Sequence, residues 1–228
     1  MVNCNDGNAC TADHCAPARG YCIKAPLPGS ASCGNGKVCN ATVCSAKTVM
    51  WAKALTVGNQ HACALHPDAT ASCWGYNGYG QLGTGNNFTR SSAAKVVGLS
   101  NVSQISAGTN HTCALDKTGQ VWCWGRGVYG ALGNGKTSNK PTPQKVPGLS
   151  DAIALTAGND HNCAIRKGGK IACWGANTSG QLGDGSKDNL TVAVDNTNID
   201  KVVQVDAGAT HTCAVRSDGR LWCWGTSA

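Results

Sequence analysis

The 228-residue sequence predicts an all-β fold of repeated four-stranded antiparallel units, the pattern of propeller blades, behind a small disulfide-rich N-terminal segment. Three observations predict it. A 50-residue unit recurs, since HACALHPDATASCWG, HTCALDKTGQVWCWG, HNCAIRKGGKIACWG and HTCAVRSDGRLWCWG begin at His61, His111, His161 and His211; a fixed period of this size marks a repeat architecture. Each unit carries short Val/Ile-rich runs that alternate apolar and polar residues, the mark of half-buried strands, and no helical period accompanies them. The 15 cysteines fall into two groups, seven before residue 45 and four pairs spaced ten residues apart.

Two regions follow from that division, 1–47 and 48–228, the second with units at about 52–101, 102–151, 152–201 and 202–228. The first repeats internally: CNDGNACTADHC from Cys4 is echoed by CGNGKVCNATVC from Cys33, with the same cysteine spacings. Few large apolar residues and many Asn, Asp and Gly mean that this segment builds no core and is held by disulfides. Its seven cysteines, Cys4, Cys10, Cys15, Cys22, Cys33, Cys39 and Cys44, leave one thiol free or paired with foreign sequence. The oxygens of Asp6, Asn8 and Asp13 could hold calcium, although turn formation is the commoner duty of such residues. The motif resembles short Cys-rich repeats of secreted proteins from myxobacteria and slime moulds.

In the second region each unit opens with a strand, at Lys53 to Gly58, Val102 to Gly108, Ile153 to Gly158 and Val202 to Gly208. Two strands around the cysteines follow, then a Gly-rich loop (WGYNGYGQLGTG, WGRGVYGALGNG, WGANTSGQLGDG), then a fourth strand near 94–97, 144–146 and 191–194. The last unit stops after Trp224-Gly225-Thr226, giving three full blades and a partial fourth.

The ten-residue spacing has a geometric reading. If Lys117-Thr118-Gly119 is a three-residue hairpin loop with Gly119 left-handed, Asp116 faces Gln120 and Cys113 falls opposite Cys123. That is a non-hydrogen-bonded pair with Cα atoms about 4.5 Å apart, at the short edge of disulfide reach. The same count pairs Cys63 with Cys73, Cys163 with Cys173 and Cys213 with Cys223. Gly169 and Gly219 keep the bulge glycine, whereas Ala69 replaces it, so that turn is expected to be strained or differently shaped. Zinc binding fits poorly, because structural zinc sites space their ligands two to four residues apart.

The string A-G-x-x-H-T-C-A-L…G-x-V-W-C-W-G-x-N-x-x-G-Q-L-G-x-G resembles the regulator of chromosome condensation repeat, in its bacterial, disulfide-containing form. The resemblance covers residues 52 to 225 and implies a β-propeller, usually of seven blades. It also implies that the turns after each A-G line one rim near the axis, as in propeller-type enzyme inhibitors. Those turns carry Asn59 and Gln60, Thr109 and Asn110, Asn159 and Asp160, and Ala209 and Thr210, the candidate binding residues. They are small and polar, without the aromatic anchors of a tight hot spot.

Paired cysteines point to an oxidising, extracellular or cell-surface setting. The start, Met1-Val2-Asn3 running into Cys4, shows no leader, so the chain reads as a mature or trimmed piece. No apolar run reaches membrane-spanning length, and the +7 charge is too dilute to argue for nucleic acid. The recurring histidines have no recurring carboxylate, serine or free thiol beside them, so they read as structural ties and not as bases. The Gly-rich loops lack the Lys-Ser/Thr and the helix of a phosphate cradle, and Trp74, Trp124, Trp174 and Trp224 are expected to pack between blades. Asn40, Asn87, Asn101, Asn177 and Asn189 begin N-x-S/T triplets. No cofactor and no enzymatic activity is expected. The reading is a protein-binding module; the alternatives are a self-associating extracellular layer, adhesin or filament component, and, further off, a guanine-nucleotide exchange factor or an enzyme inhibitor.

Overall fold

The computed structural model describes residues 51–226 in full and, before them, the backbone of four short strands. The chain divides into two compact units, Met1–Trp51 and Ala52–Ala228. In the first, β1 (Thr11–Ala16) pairs antiparallel with β2 (Tyr21–Pro26), and β3 (Lys37–Asn40) with β4 (Val43–Ala46). Their registers set Cys15 opposite Cys22 and Cys39 opposite Cys44. Of the calcium candidates, Asp6 and Asn8 lie outside the described residues, and only the backbone of Asp13 is described.

The second unit holds three four-stranded sheets and one of three strands, all antiparallel in chain order. The first blade is β5 (Ala54–Val57), β6 (His61–Leu65), β7 (Ala71–Gly75) and β8 (Arg90–Lys95). The second is β9 (Val102–Ala107), β10 (His111–Asp116), β11 (Val121–Gly125) and β12 (Lys140–Lys145). The third is β13 (Ala152–Ala157), β14 (His161–Arg166), β15 (Ile171–Gly175) and β16 (Leu190–Asn196), and the fourth β17 (Val202–Ala207), β18 (His211–Arg216) and β19 (Leu221–Gly225). The leading strands β5, β9, β13 and β17 lie side by side as the inner wall. Apart from a 3-10 turn at Val128–Gly130, all described elements are strands, and no described helix could cross a membrane.

Between β10 and β11, Asp116 N–H bonds the Gln120 carbonyl at 3.0 Å and Gly119 N–H the Asp116 carbonyl at 3.1 Å. With Gly119 at φ 94, this is the three-residue loop with a left-handed third residue. Cys113 therefore faces Cys123, and the same register recurs at 63/73, 163/173 and 213/223. All four pairs are disulfides with Cα atoms 4.0 or 4.1 Å apart, closer than the ladder spacing alone implies. At the odd turn, Ala69 keeps the same shape and bears the strain itself, at φ 63. The packed neighbours over-determine the loop: Ala69 is buried, and its carbonyl accepts from Val102 N–H at 2.9 Å.

The apolar core lies between blades. Leu65, Leu82, Val96 and Leu99 of the first blade pack on Val102, Ile105 and Trp124 of the second. Leu115, Leu132, Val146 and Leu149 likewise meet Leu155 and Trp174, and Ile165, Ile171 and Leu182 meet Val202 and Trp224. The Gly-rich loop makes this possible. Trp124 donates its indole N–H to the Gln81 carbonyl at 2.8 Å, and a Cβ on Gly83 would lie 2.7 Å from that indole nitrogen. The loop glycines thus leave room for the next blade's tryptophan, besides serving turn geometry.

A second glycine row closes the inner wall. A Cβ on Gly108 would sit 2.2 Å from Cε1 of His111 and 2.4 Å from the Gly158 carbonyl oxygen, and Gly58 and Gly158 meet their neighbours in the same way. Backbone carbonyl and buried imidazole cannot swing aside, so Gly108→Ala is expected to cost about 3 kcal/mol by overpacking. Gly148→Ala is the control: it has open space but φ +77, and should lose only about 1 kcal/mol from backbone strain. Urea-unfolding midpoints of the two variants test this; equal losses would refute the steric account.

Candidate functional site

Three of the four recurring histidines, His61, His111 and His161, are spent on the blade that follows each. His61 Nε2 lies 2.9 Å from Thr112 Oγ1, and that hydroxyl already donates to the Gln81 carbonyl at 2.9 Å. The imidazole must therefore be the donor, with its proton on Nε2. His161 and Thr212 repeat the pattern at 2.9 Å, with the Thr212 hydroxyl donating to the Gln181 carbonyl. In the middle interface His111 Nε2 donates to Asn162 Oδ1 at 2.8 Å, while Asn162 Nδ2 donates to the Ala131 carbonyl. The Nδ1 atoms of the three rings are buried without hydrogen-bond partners. Burial, with a neighbouring histidine adding to it, holds His61 and His161 down to about 4, and burial lowers His111 despite its bond to Asn162. All three are neutral structural groups at pH 7.

The turns after the leading strands and the Gly-rich loops share one face. Tyr76 N–H bonds the Gln60 carbonyl, Arg126 N–H that of Asn110 and Ala176 N–H that of Asp160, so each loop is tied to its own blade's turn. Around the axis the turns also link to one another, from Asn59 N–H to the Thr109 carbonyl at 3.2 Å and from Thr109 N–H to the Asn159 carbonyl at 3.1 Å. A further bond runs from Asn159 N–H to the Ala209 carbonyl at 3.3 Å. Asn59, Gln60, Asn159 and Ala209 are exposed, and Thr109, Asn110, Asp160 and Thr210 are half-buried. Of these eight, Asn59, Thr109 and Asn159 line an open cavity of about 410 Å³, with Gly58, Gly108 and Gly158 in its wall; Gln60, Asn110, Asp160, Ala209 and Thr210 lie outside that lining.

Beside this rim stands a cluster that sequence reasoning missed. Tyr76 and Tyr79 meet edge to face with ring centroids 6.0 Å apart, the Arg126 guanidinium lies 5.6 Å from the Tyr79 ring, and Arg126 pairs with Asp160 at 3.3 Å. The line crosses three successive blades. Its signal was present in the Gly-rich loops, where Tyr76 and Arg126 occupy the position of Ala176, and Tyr79 and Tyr129 that of Ser179. Only the fold says that these variable positions face the same way. In the first and third loops the shape is fixed from below by Asn77 and Asn177, fully buried, each accepting from Leu82 or Leu182 N–H at 2.9 Å. That burial removes Asn177 as a glycosylation acceptor in the folded protein, whereas Asn87 and Asn101 are exposed. Among the described residues no group of three or more His, Cys, Asp or Glu is placed to hold a metal ion.

Residues 52–81, 102–131, 152–181 and 202–228 match the regulator of chromosome condensation (RCC1) repeat, and 73–115 and 118–165 match a second form of it. Residues 3–27 match the Dictyostelium (slime mold) repeat. A comparison with curated proteins found no match. Among solved structures, human WBSCR16 is 23% identical over 75% of this chain and 46% of its own, with a TM-score of 0.68. Yeast RCC1 (Prp20) bound to Kap60 is 20% identical over 78% and 44%, also at 0.68. Prp20p from Saccharomyces cerevisiae, described with its binding properties to Gsp1p and histones, is 25% identical over 94% and 50%, at 0.66. The chain spans about half the length of these proteins.

Proposed function

Because this chain belongs to the regulator of chromosome condensation repeat family, we propose that it is a non-enzymatic protein-binding module of an exported or cell-surface protein. The face of turns and Gly-rich loops is its binding surface, with Asn59, Gln60, Thr109, Asn110, Asn159, Asp160, Ala209 and Thr210 as a polar rim. The observation that carries the reading is the Tyr76–Tyr79–Arg126 line beside that rim, since tyrosine and arginine are the residue types enriched at interface hot spots. His61, His111 and His161 are committed to blade contacts and are unavailable as bases. Four disulfides suit an oxidising compartment and oppose the reducing setting of a nucleotide exchange factor. A pull-down from the native extracellular fraction should retain a protein partner; recovery of none sinks the proposal.

A second reading, a self-associating component of an extracellular layer, adhesin or filament, draws on exposed Leu221 and Trp222 of β19 and on the odd N-terminal cysteine count. Mass spectrometry under non-reducing conditions decides it, because a purely monomeric chain with every linkage internal removes its support.

A further inference from the structure

We infer that the first-and-second-blade half of this face, built from the loops 76–90 and 126–140, docks an acidic, aromatic-accepting protein segment. The inference rests on the protein-binding reading and assigns that face a location and a partner chemistry. The two loops contain Arg90, Arg126, Lys136 and Lys140 and no Asp or Glu, together with Tyr76, Tyr79, Phe88 and Tyr129. The third loop is different: it has Asp184 and Asp188, a single cation at Lys187, and Ala176 and Ser179 where the others carry Arg or Tyr. One half of an otherwise repetitive face is therefore basic and aromatic, and the other half is small and mixed in charge.

The geometry brings the pieces together. Gly75 pairs with Arg90 and Gly125 with Lys140, so both cations stand where the outer strands begin, at the foot of their loops. Gly80 lies against Pro141, a hypothetical Cβ there falling 2.5 Å from the proline Cα, and Gly85 N–H bonds the Pro141 carbonyl at 2.9 Å. Lys140 is thus held beside the loop that bears Tyr79. The apolar groups are offered to solvent: Phe88 is 71% exposed, Tyr129 45% and Tyr76 38%. Exposed aromatics among Arg90, Lys136 and Lys140, with Arg126 held by Asp160 at their edge, complement a segment that carries carboxylates and apolar side chains together.

Tyr129 adds an independent observation. Its backbone is left-handed, at φ 58 and ψ 12, a conformation that glycine adopts freely and tyrosine does not. Tyr129 remains 45% exposed, so burial offsets only part of that strain. A strained, exposed aromatic in a binding loop is what a docking residue looks like. A nucleic acid fits the same surface less well, because Tyr76 and Tyr79 stand at 81° to each other and present no parallel platform for successive bases.

The test uses the whole chain and four immobilised probes: a glutamate–tyrosine copolymer, polyglutamate, heparin and a single-stranded oligonucleotide. The copolymer should bind most tightly, and more weakly as salt rises. Tyr76→Ala/Tyr79→Ala and Lys136→Glu/Lys140→Glu should each lose about tenfold or more, as hot-spot and charge contacts do, with Lys187→Glu unchanged. Tyr129→Gly should unfold at higher denaturant than the parent while binding the copolymer less tightly, a divergence that misfolding cannot produce. Equal loss from Lys187→Glu would mean diffuse attraction to the +7 surface, and no copolymer binding, or tighter heparin or oligonucleotide binding through the same residues, would also overturn the inference. In the extracellular pull-down, a partner kept equally by the parent and by Tyr76→Ala/Tyr79→Ala overturns this inference and leaves the binding-module reading standing. A partner kept by neither overturns that reading itself.

Discussion

Reducing the four hairpin disulfides is expected to unfold the propeller region. Each bridge joins cysteines ten residues apart, and closing so short a loop in the unfolded chain is worth about 2 to 3 kcal/mol on the chain-entropy estimate. Four together approach about 10 kcal/mol, comparable with the whole stability of about 5 to 15 kcal/mol of a typical domain. In the native protein the sulfurs of the first three blades are shielded, with Cys63, Cys73, Cys113, Cys123 and Cys163 at 0% exposure. Cys223 is exposed, so the 213/223 bridge should be reduced first and the others only after global opening. Circular dichroism before and after reduction in denaturant, followed by refolding with and without reductant, measures this. The single-bridge variant Cys113→Ala/Cys123→Ala should lose about 2 to 3 kcal/mol. A fully reduced chain that refolds to the parent's midpoint would refute the account.

Acid is the second strong lever. His61 and His161 sit at about 4 in the folded protein against an ordinary 6.5, because burial penalises the imidazolium. The unfolded chain therefore binds more protons than the folded one below pH 6.5. The stability these groups support is complete above that value and drains away as pH falls toward 4. By pH 5 the loss is about 2 kcal/mol for each of the two, with His111 adding in the same direction. Geometry agrees, since a proton on Nδ1 would be buried with no acceptor at the joint between blades. The carboxylates titrate elsewhere: in Asp116, hydrogen bonds from Thr118 and Trp122 outweigh the opposing effect of burial and keep it below the usual carboxylate range. Its contribution is lost only under pH 4. Urea midpoints between pH 7.5 and 4 should fall steeply below 6.5, and the double variant His61→Gln/His161→Gln should flatten that slope. A flat profile between 6.5 and 5 in the parent chain would contradict the burial of these rings.

The loops that carry the proposed site were legible as loops but not as a surface. Gly83, Gly133 and Gly183 announced a turn in each unit; that each also seats the next blade's tryptophan depends on a neighbour 41 residues on, from Gly83 to Trp124, which no local pattern encodes. Tyr76, Tyr79, Arg126 and Asp160 come from three different units, and their adjacency follows from the rotation between blades. The rim residues around Asn59 and Asn159 were visible because they occupy the same slot in every copy. The tyrosines share recurring slots as well, but one slot holds Arg126 and Ala176 as well as Tyr76, and the other Ser179 as well as Tyr79 and Tyr129, so no repeated residue type marks them.

The sequence by itself determined what depends on short range and repetition. The 50-residue period, the two-residue alternation of the strands and the turn chemistry at Gly119 fix hairpin register, and register fixes which cysteines meet. Tertiary structure decided what depends on stacking one copy against the next. It spends the histidines on hydrogen bonds across the joints, demands glycine where the backbone of one blade meets the carbonyl of another, and gathers tyrosines and cations on one half of a face. The reason is the same throughout: hydrogen-bond ladders and turns act over a few residues, whereas the burial that shapes a joint is shared by groups about 50 positions apart, a separation set only when the blades pack.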